Sequence, residues 1–167
     1  MQENSFYEKL EEANHLLIYR EYEEACKIYE ELLKENSSAE LHNNYGLALF
    51  YLDKYEEALQ QFNRAIQLKE NFCLPYINTG LIYLNRGEYE KAVEFLTKAI
   101  TLDNKNSEAH YNIAVAYYRL NKKKEALFHY EEFIKNSGNE YVKLKESVGK
   151  IIEQIKTDLS KQESCQE

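Results

Sequence analysis

Between residues 55 and 68, Tyr55, Ala58, Leu59, Phe62, Ala65, Ile66 and Leu68 recur mostly at three- and four-residue steps, with charged and amide side chains between them. A stripe of this period marks an amphipathic helix that buries one face. The stripe returns along the chain. Ala25, Ala58, Ala92 and Ala126 are spaced 33, 34 and 34 residues apart, and each is followed four positions later by a large apolar residue, Tyr29, Phe62, Leu96 or Tyr130. Three positions before the alanines stand Tyr22, Tyr55, Tyr89 and, as the exception, Lys123, and twelve before them stand Ala13, Gly46, Gly80 and Ala114. Small residues at a fixed place are expected where two helices cross at ~8–10 Å, a separation that leaves no room for a long side chain. The pattern predicts four helix pairs. First helices fall near residues 6–19, 39–52, 73–86 and 107–120, and second helices near 22–35, 55–69, 89–102 and 123–136.

Asp53, Gly87 and Asn121 hold one place in the turns within three of these pairs, and all three residue types tolerate turn backbone angles. Pro75 lies in the first turn of a helix, where its missing N–H is no loss. After the stop signal Ser137-Gly138-Asn139, the residues Tyr141, Leu144, Val148, Ile151, Ile152 and Ile155 again keep helical spacing. They predict a ninth helix over about 140–157 that caps the last pair and covers Phe133, which stands where the other units have Leu32, Ala65 and Ala99. Residues 158–167 are polar and expected to fray, so residues 1–157 form one expected domain, with repeats over about 6–38, 39–72, 73–106 and 107–140.

Residues 39–72 and 73–106 are identical at nine equal offsets, among them Asn44/Asn78, Gly46/Gly80, Tyr55/Tyr89, Ala58/Ala92 and Ala65/Ala99. The unit reads His42-x2-Tyr45-Gly46-x2-Leu49…Ala58-x3-Phe62, then Tyr76-x2-Thr79-Gly80-x2-Tyr83…Ala92-x3-Leu96, then His110-x2-Ile113-Ala114-x2-Tyr117…Ala126-x3-Tyr130. This resembles the tetratricopeptide repeat (TPR) family, whose 34-residue unit is a helix, a tight turn and a second helix. The first unit, Lys9-x2-Glu12-Ala13-x2-Leu16…Ala25-x3-Tyr29, matches least well. The resemblance covers about residues 6–140 and implies an all-α fold, an α-solenoid of about four helix-turn-helix repeats with a C-terminal capping helix. Two departures stand out. The family's proline after the second helix is replaced by Ser37, Glu70, Asn104 and Gly138, which predicts looser turns, and Lys123 removes an aromatic packing contact from the fourth unit.

The resemblance further implies a concave face, lined by the first helices, that binds a protein or peptide. Carrying the family's groove positions over makes Asn14, Asn44, Leu47, Tyr51, Asn78, Leu81, Tyr111, Asn112, Tyr118 and Arg119 the candidate peptide-binding residues, with Glu11, Ile18 and Asn43 among their neighbours. Asn44, Asn78 and Asn112 recur at 34-residue spacing. A carboxamide both donates and accepts, so such a ladder can bond the backbone of an extended peptide, or it can serve neighbouring helices. The family's carboxylate clamp for chaperone C-termini needs cations where this chain has Leu10, Leu74 and Asn78, so that partner is not expected.

Composition narrows the picture. Five Gly and one Pro are too few for the turns of an all-β fold, and 21 Lys and Arg against 29 Asp and Glu, net −8, disfavour nucleic acid. Residues 1–38 carry ten acidic and four basic side chains, so electrostatic steering favours a partner with a basic segment. Phosphate-binding glycine loops are missing, His42 and His110 lie two repeats apart and cannot share a metal ion, and His15 and His129 fit no ligand pattern. Neither cofactor, metal nor enzymatic activity is expected. Cys26, Cys73 and Cys165 read as incidental thiols of a reducing compartment, and with no signal peptide or membrane span the expected location is cytoplasmic. The expectation is a non-enzymatic adaptor that holds a peptide or helix of a partner; the alternative is a self-assembling scaffold whose groove takes its own terminus or a second copy.

Overall fold

The computed structural model describes residues 2–164, which form nine α-helices and one short 3₁₀ turn, with no strand among them. First helices are α1 (Gln2–Ile18), α3 (Ala39–Tyr51), α5 (Cys73–Asn85) and α7 (Ser107–Arg119); second helices are α2 (Tyr22–Glu35), α4 (Tyr55–Leu68), α6 (Tyr89–Leu102) and α8 (Lys123–Asn136). The last helix, α9, spans Val142–Ser164. The architecture is the expected all-α helical repeat with a C-terminal helix. Its contacts divide it into two compact units, Met1–Ile82 and Tyr83–Glu167, with the boundary inside α5.

The turn within each helix pair is closed in the same way. Arg20, Asp53, Gly87 and Asn121 have φ of 67°, 59°, 73° and 57°, in the left-handed region. That conformation lets the next residue's N–H reach back five positions, as Glu21 to Leu16 O, Lys54 to Leu49 O, Glu88 to Tyr83 O and Lys122 to Tyr117 O, at 2.9–3.0 Å. These bonds satisfy carbonyls that the helix end would otherwise leave without partners. Arg20 completes a set of which the sequence revealed only three.

The linkers between pairs are tied rather than loose. The fourth residue of each full-pattern unit reaches back into the linker before it: His42 Nε2 lies 3.0 Å from Ser37 Oγ, Tyr76 Oη donates to Glu70 O at 3.1 Å, and His110 Nε2 to Asn104 O at 3.0 Å. Ser38 and Asn106 add N-caps, accepting from the backbone N–H of Leu41 and Ala109. These side chains replace the constraint that the missing prolines would have supplied.

In the first unit the small residues sit at the crossings. Ala13, Ala25, Ala48 and Ala58 are fully buried around Tyr29, Leu32, Leu49 and Phe62. A Cβ added at Gly46 would stand 2.7 Å from Phe62 Cε1, so the glycine is what lets the ring lie against α3. In the second unit Ala114, Ala126, Tyr130 and Phe133 pack with Val148, Ile152 and Ile155 of α9. Phe133 is 1% exposed, with Tyr111 and Tyr141 rings at 5.3 and 5.9 Å, and its burial contributes ~2–3 kcal/mol. The helix expected to end near 157 continues to Ser164 because residues beyond that point have partners: Leu159 packs on this core, and Asp158 accepts from Lys123 at 2.7 Å. The lysine that breaks the aromatic pattern thus gains an ion pair to α9.

Candidate functional site

The first-helix residues expected to bind a peptide fall into three environments. In the first unit, Asn14, Asn44 and Asn78 are half-buried and joined in one row that also takes in Asn43, 2% exposed. Asn78 Nδ2 donates to Asn43 Oδ1 at 3.0 Å, Asn43 Nδ2 to Asn44 Oδ1 at 3.2 Å, and Asn44 Nδ2 to Asn14 Oδ1 at 3.1 Å. Tyr29 closes the row by donating its hydroxyl to Asn14 Oδ1 at 2.7 Å. Burial pushes the Tyr29 hydroxyl well above its ordinary pKa, which keeps it a donor. The ladder foreseen as Asn44, Asn78 and Asn112 is therefore, in this unit, a hydrogen-bonded chain, and Asn43 is an interior link rather than a groove residue.

Leu47 and Tyr51 lie in the second environment. With Leu17, Ile18, Arg20 and Tyr22 they line a depression of about 470 Å³. Tyr51 stacks on Tyr22, centroids 4.8 Å apart and rings inclined by 16°, yet stays 51% exposed, and Ile18 is 72% exposed. Leu81 is half-buried on α5.

The second unit holds the third environment. Tyr118 is 42% exposed and Arg119 is exposed at the end of α7. Tyr111 departs from expectation, because its ring turns toward Tyr130 and Phe133 at 6.3 and 5.3 Å and belongs to the core beneath α9. Asn112 is 6% exposed.

The units are matched by the sequence patterns "TPR repeat" over residues 46–87 and 80–121 and "Tetratricopeptide repeat" over 107–140. The chain belongs to the tetratricopeptide repeat family. It is 29% identical to BBSome complex member BBS4 of Bos taurus over 118 residues, 70% of this chain and 22% of that protein, so it spans about a fifth of the length of this curated relative. The crystal structure of MamA superposes with a TM-score of 0.71 at 24% identity, covering 81% of this chain and 74% of MamA. That of YrrB, described as a TPR protein with an unusual peptide-binding site, gives 0.67 at 23%, covering 81% and 70%. At these identities the likeness is one of fold.

TPR register also explains a pair that residue-by-residue reading missed. The fourth residue of a first helix faces the residue nineteen positions on: His42 Nδ1 is 2.7 Å from Gln61 Oε1, and His110 Nδ1 is 3.0 Å from His129 Nδ1. Asn104 O can only accept, so in the neutral pair His110 carries its proton on Nε2 and its Nδ1 accepts from the Nδ1–H of His129. Burial, helped by His110 and opposed by Glu132, lowers the His129 pKa to about 4. Tyr117 stacks on His129 at 5.6 Å. No group of three or more His, Cys, Asp or Glu that could hold a metal occurs among the described residues. Cys26 is buried, which pushes its thiol up to about 11, away from a reactive thiolate, and Cys73 is half-buried; Cys165 lies outside the described residues. Among the described residues no helix is long and apolar enough to cross a membrane.

Proposed function

We propose that this TPR chain is a non-enzymatic interaction adaptor that holds a peptide segment of another protein on the first-helix face of its first unit. One observation carries the reading: the exposed apolar depression of Leu17, Ile18, Tyr22, Leu47 and Tyr51 draws most of its lining from α1 and α3, which also bear Asn14, Asn43 and Asn44 of the asparagine row. Large apolar side chains left in contact with water around a concavity gain free energy when a partner covers them, at ~25 cal/mol per Å². The row adds polar guidance. Asn14 Oδ1 already accepts two hydrogen bonds, from Tyr29 and from Asn44, so what Asn14 offers a partner is N–H, which suits backbone carbonyls. YrrB, a neighbour of the same fold with a peptide-binding site, supports the reading.

The test is to pan a random-peptide library against the full chain and against Leu47→Asp. Peptides retained by the first and lost on the second are expected; peptides retained equally by both overturn the proposal. Light scattering across a concentration range addresses the alternative occupant, since a second copy in the depression requires a mass that rises with concentration.

A further inference from the structure

The adaptor reading leaves the chemistry of the peptide open, and the charges beside the depression bear on it. Glu11, Asn14 and Ile18 lie at i, i+3 and i+7 of α1 and therefore share one face. Between residues 11 and 24 the chain carries five glutamates, Glu11, Glu12, Glu21, Glu23 and Glu24, against one cation, Arg20. Nearby carboxylates elsewhere in the unit are neutralised: Glu31 by Lys9 at 2.9 Å and Glu40 by Lys69 at 2.7 Å. Glu24 faces Lys27 at 3.7 Å, and among the described residues no ion pair involves Glu11 or Glu21. On the same helix face as the apolar depression, Glu11 is thus a carboxylate without an ion-pair partner among the described residues.

Resting on the adaptor reading, we infer that the depression takes a partner segment with an apolar anchor residue and a Lys or Arg three residues from it in an extended chain. The spacing follows from the helix. Seven residues separate Glu11 from Ile18, or about 10 Å at a rise of ~1.5 Å per residue, and an extended peptide covers that in three steps of ~3.3 Å. Asn14 lies between the two points, where the peptide backbone passes. The anchor covers Ile18 and the stacked Tyr22–Tyr51 pair, and the cation meets Glu11. Arg20 also lines the depression but is surrounded in sequence by Glu21, Glu23 and Glu24, so it does not reverse the sign of the surface.

The experiment uses the full chain and fluorescein-labelled decapeptides containing Leu-Ala-Ala-Lys, Leu-Ala-Ala-Gln, Leu-Ala-Ala-Glu or Leu-Lys-Ala-Ala, titrated by anisotropy at low and high salt. The Lys peptide in the first register should bind about fivefold or more tighter than the Glu peptide, a gap that an exposed pair can support and that salt should close. Glu11→Gln should shrink the gap while leaving the Gln peptide unchanged. Moving the lysine next to leucine should remove its advantage. Ile18→Ser and Tyr51→Ala, both at exposed positions and checked for an unchanged circular dichroism spectrum, should weaken all four peptides. Equal affinity for the Lys, Gln and Glu peptides, lost on Tyr51→Ala, overturns the charge inference and leaves the adaptor reading standing. Affinity indifferent to Ile18→Ser and Tyr51→Ala overturns both. Preference for the Glu peptide, abolished by Arg20→Gln, overturns the inference in favour of an acidic partner.

Discussion

The His110–His129 pair makes the stability of the second unit depend on pH in a way that can be isolated. His129 is held neutral, with a pKa of about 4, by burial and by the neighbouring His110. In the unfolded chain it titrates near ~6.5, so as pH falls the unfolded state takes up a proton first and stability drops between ~6.5 and 4. Above that window the group contributes nothing further, and below it the loss is complete. Integrating the two titrations from pH 7.5 to 4.5 gives a loss of about 2–3 kcal/mol assigned to this one side chain. Many carboxylates titrate over the same range, so the quantity to measure is a difference. Urea unfolding of the wild type and of His129→Gln, followed by helical circular dichroism at half-unit pH steps, supplies it. Gln keeps an amide N–H to offer His110 Nδ1 but cannot be protonated. The two curves should approach each other by about 2–3 kcal/mol on acidification. Parallel curves, or a His129 ring resonance that titrates at pH 6 or above, refute the burial argument.

Three further outcomes follow from the packing. Gly46→Ala places a Cβ 2.7 Å from Phe62 Cε1, so overpacking of ~1–3 kcal/mol should outweigh the ~1 kcal/mol gain in helix propensity; thermal melting should show a lower Tm, partly restored by Phe62→Leu. Arg20 adopts φ 67° at a cost of ~1–2 kcal/mol, which glycine avoids at an entropic cost of ~0.5–1 kcal/mol, so Arg20→Gly should raise stability slightly in urea unfolding, whereas Gly87→Ala should lower it. Truncation after Thr157 removes Asp158 and Leu159 from their contacts with Lys123 and the second core, and should cost ~1–3 kcal/mol; unchanged unfolding would show that the end of α9 contributes nothing.

Most helix ends were legible in the sequence because local chemistry sets them. The turn residues Asp53, Gly87 and Asn121 close the first helices, the alanine spacing fixes the crossings, and α2 through α8 begin and end within a residue of expectation. Arg20 escaped notice because nothing in an arginine advertises a left-handed turn; only its position, 33 residues before Asp53, does. The length of α9 was hidden for another reason: Lys123 and Asp158 are 35 positions apart, and no local pattern links them. What the sequence left hidden in the candidate site is the environment of each position. Tyr111 and Asn43 sit at the fifth place of their units, as does Ile77, which is 1% exposed, and that place turns inward here. The His110–His129 pair could have been found by asking which residues stand nineteen apart in equivalent places, a comparison that His42 and Gln61 would have supported.

The asparagine row has a direction. The amides donate in one sense along the row, from Asn78 of α5 to Asn43 and on to Asn44 of α3 and to Asn14 of α1, and Tyr29 donates to Asn14 from the other side. No member can rotate its carboxamide by half a turn without setting two oxygens or two amides against each other along the whole line. The positions are therefore unequal under chemical ageing, in which an asparagine loses its amide and becomes aspartate. Asn14 acts toward the row only through its oxygen, so a carboxylate there would keep both incoming bonds. At Asn43 or Asn44 the same change would take away a donor and point a negative charge at the oxygen of the next residue. A lesion at Asn44 would remove the row's hydrogen bond from α3 to α1, whereas one at Asn43 would break the link within α3.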